Sequence, residues 1–145
     1  MMIFKKVPLP PSSNNQYISI LRHGKIIRAS SKELTTFKKN MEWYWIEHNN
    51  QLKIAREIFS GLPLSIHVDF FFEKSRLISK KGHLKRLDVS NRLKAIHDAL
   101  ASALLIDDCF FVRISAEKYA VSNKQEECAM ITIEAHEFVE LEKSC

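Results

Sequence analysis

The chain has 145 residues, of which 46% are hydrophobic and 27% charged, proportions typical of an ordinary globular protein with its own core. We therefore predict one domain over residues 1–145. No apolar run approaches the ~20 residues of a membrane helix. The odd number of cysteines leaves an unpaired thiol, which fits a reducing cytoplasm better than a disulfide framework. The three cysteines form no CxxC pair, the six histidines form no HxH or HExxH pattern, and only three glycines are present. These features argue against disulfide frameworks, zinc sites, P-loops and dinucleotide-binding loops.

Positive charge is concentrated in one segment of the chain. The net charge is +5, whereas residues 74–94 carry eight lysines and arginines and a single acid, Asp88. Such a segment indicates a polyanionic partner, of which nucleic acid is the commonest. A solvated, lysine-rich loop explains the charge equally well at this point.

The N-terminal third predicts a strand and then a hairpin. Residues 2–9 ("MIFKKVPL") have a strand pattern that the prolines of the next segment stop, and "PPSSNN" (residues 10–15) is rich in turn formers. Residues 17–30 ("YISILRHGKIIRAS") then predict a hairpin that turns at His23-Gly24.

A helical region follows the hairpin. Ser30 and Glu33 have the spacing of a capping box, which opens a helix. Apolar residues at helical spacing continue from there: Leu34, Phe37, Met41, Trp45 and Ile46. Asn49-Asn50 interrupts the pattern before "QLKIAREIF" (residues 51–59), and Gly61 and Pro63 end it.

Trp43, Tyr44 and Trp45 form an aromatic cluster within this helical region. Such a cluster can serve as a platform on which nucleic-acid bases stack. Aromatic residues at helical spacing belong more often to the core or to a subunit interface, and we favour that interpretation.

The second half of the chain predicts a strand, a basic loop, a helix and two more strands. Residues 64–74 alternate, with apolar side chains on one face and His67, Asp69 and Glu73 on the other. Residues 89–104 carry an apolar helical stripe. Residues 109–121 and 127–138 read as two strands, antiparallel around the polar "SNKQE". This order predicts a mixed α/β fold, in which two main helices pack on a four- to five-stranded sheet.

Acidic residues stand at both ends of the helix predicted at 89–104. Asp88 is its predicted N-cap, a structural role that needs no catalysis. Asp107 and Asp108 follow the other end, where the helix dipole disfavours acids by roughly 0.3–1 kcal/mol. Carboxylates are also the ligands by which nucleases hold Mg²⁺, and a nearby lysine such as Lys94 can neutralise charge at the phosphate.

These residues give the chain a resemblance to the RusA family of Holliday-junction resolvases. "LPPSSNNQY" (residues 9–17) resembles the family's N-terminal Pro-Pro-Ser-x-Asn segment. "KRLDVSNRLKAIHDAL" (85–100) resembles its basic run and Asp-x-Asp-Asn helix, and "LLIDDCFF" (104–111) resembles its Asp-Asp segment. The order and spacing of the three segments agree with the family.

The resemblance implies a homodimeric, Mg²⁺-dependent endodeoxyribonuclease, with Mn²⁺ as an alternative metal, that resolves Holliday junctions and other branched DNA by paired nicks and is phage or prophage encoded. Asp88, Lys94 and Asp108 match the catalytic positions, Asp107 stands beside the last of them as a further metal ligand, and Asn91 and Ser90 are supporting residues. The DNA-binding residues are expected in the basic run: Arg76, Lys80, Lys81, Lys85 and Arg86.

Ser90 departs from the family pattern, because it stands where the family's second aspartate is usual. Asp98, Asp107 or Glu73 could supply the missing carboxylate. The alternative function is therefore a junction-binding protein whose catalysis is weakened by Ser90.

The length of the predicted helix sets a geometric condition on the metal site. About 16 helical residues rise about 24 Å, so Asp88 and Asp108 cannot share a metal if the helix runs straight. Our hypothesis is a composite site, in which a two-fold dimer with antiparallel helices places Asp88 of one subunit near Asp108 of the other.

Overall fold

The computed structural model describes residues 1–12 and 16–137. Two parts of the chain lie outside the described residues. They are the predicted turn formers Ser13 to Asn15 and the acidic C-terminal end, which includes Glu140, Glu142 and Cys145. The elements, in chain order, are strands β1 (Met2–Val7), β2 (Tyr17–Arg22) and β3 (Lys25–Ser30), helices α1 (Lys32–Glu47) and α2 (Asn49–Phe59), strand β4 (Leu64–Glu73), helices α3 (Lys74–Leu77) and α4 (Ser90–Leu104), and strands β5 (Phe111–Val121) and β6 (Cys128–Ala135). Two short 3-10 turns, Asp108–Phe110 and Lys124–Glu126, precede and follow β5.

The main sheet has four strands in the order β1-β6-β4-β5, and β2 and β3 form a separate hairpin. Strand β4 pairs parallel with β5 and antiparallel with β6, while β1 pairs antiparallel with β6. The prediction of a mixed sheet with helices packed on it is confirmed. The last two strands run antiparallel around "SNKQE", as predicted, but they do not pair with each other, because β4 lies between them and hydrogen-bonds to both.

The strand alternation predicted for β4 decides where the core lies. Leu64, Ile66, Val68, Phe70 and Phe72 are fully buried on one face of the sheet. The buried side chains of α1, α2 and α4 belong to the same apolar cluster, so the helices cover this face of the sheet. The other face carries the more polar residues of β4, as the alternation predicted.

The aromatic cluster of α1 divides between the core and the surface. Tyr44 is buried, and its hydroxyl donates a hydrogen bond to the Lys5 carbonyl at 2.7 Å. Trp45 packs edge-on against Phe4, with ring centroids 5.3 Å apart. Trp43 is 60% exposed. The preference for a core role is therefore confirmed for Tyr44 and Trp45 but not for Trp43.

Both main helices begin one residue later than the sequence predicted. At α1 the cap is Ser31 rather than Ser30, since the Ser31 hydroxyl accepts the Leu34 N–H at 3.1 Å. At α4 the cap position is Val89, and Asp88 precedes it. Ser31 is the cap of α1 because its hydroxyl reaches the backbone N–H of Leu34, the third residue of the helix.

Candidate functional site

Asp88 lies immediately before α4, where its carboxylate accepts a hydrogen bond from the helix. Asp88 Oδ1 accepts from the Ser90 N–H at 2.9 Å. The hydrogen bonds from Ser90 first, and then the charge of Lys118, hold the pKa of Asp88 below its usual range. Lys118 is fixed near this position because its Nζ donates to the Leu87 carbonyl at 3.1 Å. Asp88 is thus an exposed, ionised carboxylate that also helps to cap the helix.

Asp107 and Asp108 lie beyond the other end of α4, at the 3-10 turn before β5. Asp107 Oδ1 accepts the Cys109 N–H at 2.8 Å, and hydrogen bonding from Cys109 lowers the pKa of Asp107. Asp108 is exposed, and its charge acts on His97 in the second half of α4. Burial nevertheless lowers the pKa of His97 overall, against the opposing charges of Asp98 and Asp108.

The structure keeps the two groups of acids apart within one chain. Helix α4 has 15 residues between them, which corresponds to about 22 Å along its axis. The other carboxylates named as substitutes lie on different elements: Asp98 is exposed on α4, and Glu73 is at the end of β4. Among residues 1–12 and 16–137, no three His, Cys, Asp or Glu side chains lie close enough together to hold a metal ion.

Lys94 and Asn91 line a groove between α4, α1 and the β2–β3 hairpin. The groove has a volume of about 500 Å³ and is lined by Lys94, Asn91 and Asp98 of α4, Tyr17 and Arg28 of the hairpin, and Trp45 of α1, among others. The Arg28 guanidinium lies over the Tyr17 ring, 3.9 Å from its centroid. The structure therefore places the predicted catalytic lysine in a concave surface that combines cationic and aromatic side chains.

The structure ties the proline-rich N-terminal segment to the start of α4, a link that the sequence analysis missed. Arg92 is buried, and its Nη1 donates to the Pro10 carbonyl. Gln16 Nε2 donates to the carbonyls of Pro11 at 3.0 Å and Asn91 at 3.3 Å. Two of the three segments that carry the family resemblance thus meet in space. The signal in the sequence was the position of Arg92, four residues before the buried Ile96 on the same helix.

The five predicted DNA-binding residues comprise four exposed cations and Arg76, which is paired with an acid. Arg76 Nη1 donates to both carboxylate oxygens of Glu127, at 2.8 and 2.9 Å. Lys85 is exposed and its Nζ donates to the Ser75 carbonyl at 2.7 Å. The remaining predicted DNA-binding residues are exposed: Lys80, Lys81 and Arg86. The loop that carries these residues is closed by a bridge between Ile78 and Leu84, so its cations stand on an organised turn.

A polar network on the open face of the sheet was also missed. His67 Nε2 lies 2.8 Å from Asp69 Oδ1, and His67 Nδ1 lies 2.6 Å from Ser115 Oγ on the neighbouring strand. Asp69 is 7% exposed, so the histidine provides the partner that a buried carboxylate needs. The parallel pairing of β4 with β5, which brings His67 opposite Ser115, could not be read from the sequence.

One comparison with known proteins identifies the family of the chain. A family model described as endodeoxyribonuclease RusA matches residues 8–134 of the chain. The match spans most of the chain, including the proline-rich segment, α4 and the Asp107-Asp108 pair, and the chain therefore belongs to the RusA endodeoxyribonuclease family. Family membership implies an endodeoxyribonuclease activity that acts on Holliday junctions and related branched DNA. No individually curated protein matches the chain significantly. No helix among the described residues is long and apolar enough to cross a membrane.

Proposed function

We propose that this protein is a Mg²⁺-dependent, structure-selective endonuclease that works as a homodimer and resolves four-way junctions by paired nicks. One observation carries the proposal: an exposed, ionised Asp88 stands at the N-terminus of α4, six residues before a lysine that lines an open groove. A carboxylate for a metal and an ammonium for the phosphate thus share one end of one helix.

The carboxylates at both ends of α4 fit a hard divalent cation in their chemistry. Asp88, Asp107 and Asp108 are exposed, and the lowered pKa values of the first two keep them ionised at neutral pH. Such oxygen ligands suit Mg²⁺ and equally Mn²⁺. Bound Mg²⁺ would supply a Lewis acid that polarises the phosphate and offsets its charge. Lys94 would neutralise negative charge that develops on the scissile phosphate.

The length of α4 supports a composite site in the proposed dimer. Ligand oxygens stand about 2.1 Å from Mg²⁺, so two carboxylates on one ion must lie within a few ångströms of each other. The 15-residue helix between Asp88 and Asp108 is several times longer than that distance. In a two-fold dimer whose α4 helices run antiparallel, the start of one helix lies beside the end of its partner. Each site would then take Asp88 from one subunit and Asp108 from the other.

The exposed cations of the 78–86 loop support a phosphate-binding role beside this site. Lys80, Lys81, Lys85 and Arg86 would hold the DNA backbone, with steeply salt-dependent affinity. Arg76 would contribute less, because Glu127 already engages its guanidinium. The two-fold axis of such a dimer matches the symmetry of a four-way junction, which presents two equivalent strands for cleavage.

The test is cleavage of an end-labelled, immobile four-way junction with Mg²⁺, using wild type, Asp88→Asn, Asp108→Asn and the control Glu57→Gln, an exposed acid on α2. We expect symmetric paired nicks from wild type and the control, and none from the two aspartate variants. Nicking that survives both variants would overturn the proposal.

One observation favours a second candidate, a junction-binding protein with weakened cleavage. Ser90 is exposed at the first position of α4 and is neutral, where the family pattern carries an acid. Tight junction binding by the wild type with no nicks, in Mg²⁺ or in Mn²⁺, would select this candidate.

A further inference from the structure

The β2–β3 hairpin presents apolar side chains to solvent at its tip. Leu21 and Ile26 stand directly opposite each other on one face of the hairpin, and they are 75% and 79% exposed. On the opposite face, Ile18 and Ile27 are less exposed, at 50% and 36%, and Ile20 is partly buried. The most exposed apolar pair of the hairpin therefore lies at its end and on one face.

That face leads from the tip to the groove that contains Lys94. The register places Tyr17 and Ser19 on the same face as Leu21, and Arg28 on the same face as Ile26. Tyr17 and Arg28 both line the groove. At about 3.3 Å per residue, Leu21 lies about 13 Å from Tyr17 and Ile26 about 7 Å from Arg28, so the apolar pair lies beyond the groove on the same face.

The turn at the tip is a two-residue connection with defined geometry. His23 and Gly24 have φ angles of 50° and 74°, as a type I′ hairpin turn requires at both central positions. The twist of such a turn matches that of the strands, so the tip is held as a narrow ribbon end.

The positive charge of the hairpin indicates which kind of partner its apolar tip binds. Residues 16–30 include Arg22, Lys25 and Arg28 and no aspartate or glutamate. Arg22 and Lys25 pair across the last position before the turn; they neighbour the apolar pair in sequence and project from the opposite face of the hairpin. Two copies of this hairpin brought together would repel each other, whereas a polyanion that exposes apolar surface complements it.

We propose that the β2–β3 hairpin is a wedge that enters the centre of a branched DNA substrate, with Leu21 and Ile26 against the base-pair faces exposed at the branch point. The inference rests on the proposed function for its substrate. In the open form of a four-way junction the base pairs that flank the branch point lack one stacking neighbour, and apolar side chains inserted between base steps are a known way to hold DNA open. Arg22 and Lys25 contact the flanking phosphates.

The test replaces the apolar pair and follows the bases at the branch point. Four-way junctions carry 2-aminopurine either at the branch point or ten base pairs away in one arm, and binding is measured in EDTA so that no cleavage occurs. The wedge variant is Leu21→Ser with Ile26→Ser. The matched control is Ile54→Ser with Ile58→Ser, two isoleucines of α2 that are 50% and 53% exposed.

We expect wild type and the control to raise the fluorescence of the branch-point base at least twofold and to leave the distant base unchanged. The wedge variant is expected to lose this rise and to lose about tenfold of its preference for junctions over linear duplex. Its affinity for linear duplex and the salt dependence of that affinity should not change, because its cations are intact.

Three results would overturn the inference. The first is a wedge variant that keeps the branch-point signal. The second is a fall in the molecular mass of the wedge variant in light scattering relative to wild type, which would identify the apolar pair as a subunit contact. The third is a wild type that fails to bind junctions. The experiment is separable from the proposed function. A wild type that nicks junctions while the wedge variant keeps its signal refutes only the wedge, and a branch-point signal without nicking in Mg²⁺ refutes only the nuclease.

Discussion

Mixing two inactive variants tests whether the metal site is shared between subunits. Asp88→Asn and Asp108→Asn are each expected to abolish nicking, since each removes one proposed metal ligand. If each site takes one aspartate from each subunit, a mixed dimer has one site with both native aspartates and one site with neither. If each site belongs to a single chain, both sites of the mixed dimer are defective. Restored nicking therefore distinguishes the two arrangements.

The size of the restored activity follows from counting sites. Helix α4, about 22 Å long, stands between the two aspartates in the chain, and in the proposed composite site recovery comes only from across the dimer axis. Random exchange of equal amounts makes about half of the dimers mixed, and each mixed dimer has one intact site of two. About a quarter of the wild-type sites should therefore be active.

A plasmid with an extruded cruciform reads out this difference. Paired nicks by wild type convert the supercoiled plasmid to linear DNA, whereas mixed dimers with one working site should leave mainly nicked circles. The variants are unfolded and refolded together so that subunits exchange, and each variant refolded alone is the control. Mixed samples that stay as inactive as the separate variants would refute the composite site. Linear product from the mixture would refute it too, because a mixed dimer has only one intact site.

Three further predictions concern α4. Ser90→Asp should increase Mg²⁺ affinity and the nicking rate by roughly tenfold, since it adds a carboxylate two residues after Asp88; Ser90→Asn is the neutral control, and equal rates would contradict the prediction. Arg92→Met should lower the free energy of unfolding by roughly 1–3 kcal/mol in urea melts by leaving the Pro10 carbonyl without its donor, and an unchanged midpoint would argue against this contact. Burial lowers the pKa of His97, so the unfolded state binds the proton more readily and stability should fall as the pH drops below about 6.5. His97→Phe should lose less stability between pH 7 and pH 5, and equal losses would exclude His97 as the cause.

Local periodicity was sufficient to predict most elements of this fold. The alternation of β4, the apolar stripe of α4 and the His23-Gly24 turn depend on neighbouring residues, and the structure confirms all three. The order of strands depends on pairing between distant segments. Local patterns do not show that β4 lies between β5 and β6, so the antiparallel direction of the last two strands was predicted but their separation by β4 was not.

The candidate site was predictable in its residues but not in its arrangement. The family motif indicated Asp88, Lys94 and Asp108 by position alone, and their roles remain predictions. The buried position of Arg92 and its bond to Pro10 depend on the packing of a segment about 80 residues away in the chain. Counting charge in the basic run could not separate this buried arginine, or Arg76 with its partner Glu127, from cations available to DNA.

The electrostatics of the two helix ends also bear on the proposed dimer. Asp88 lies at the positive end of the α4 dipole, which favours a carboxylate, whereas Asp108 lies beyond the negative end, where a carboxylate costs about 0.3–1 kcal/mol. The Cys109 N–H offsets this cost for Asp107, but that hydrogen bond does not involve Asp108. In the proposed antiparallel dimer, Asp108 would lie beside the positive end of the partner helix, so association would remove the penalty and complete the metal site in one step. Metal binding and dimerisation should therefore be coupled: Mg²⁺ should tighten the wild-type dimer and have no such effect on Asp108→Asn.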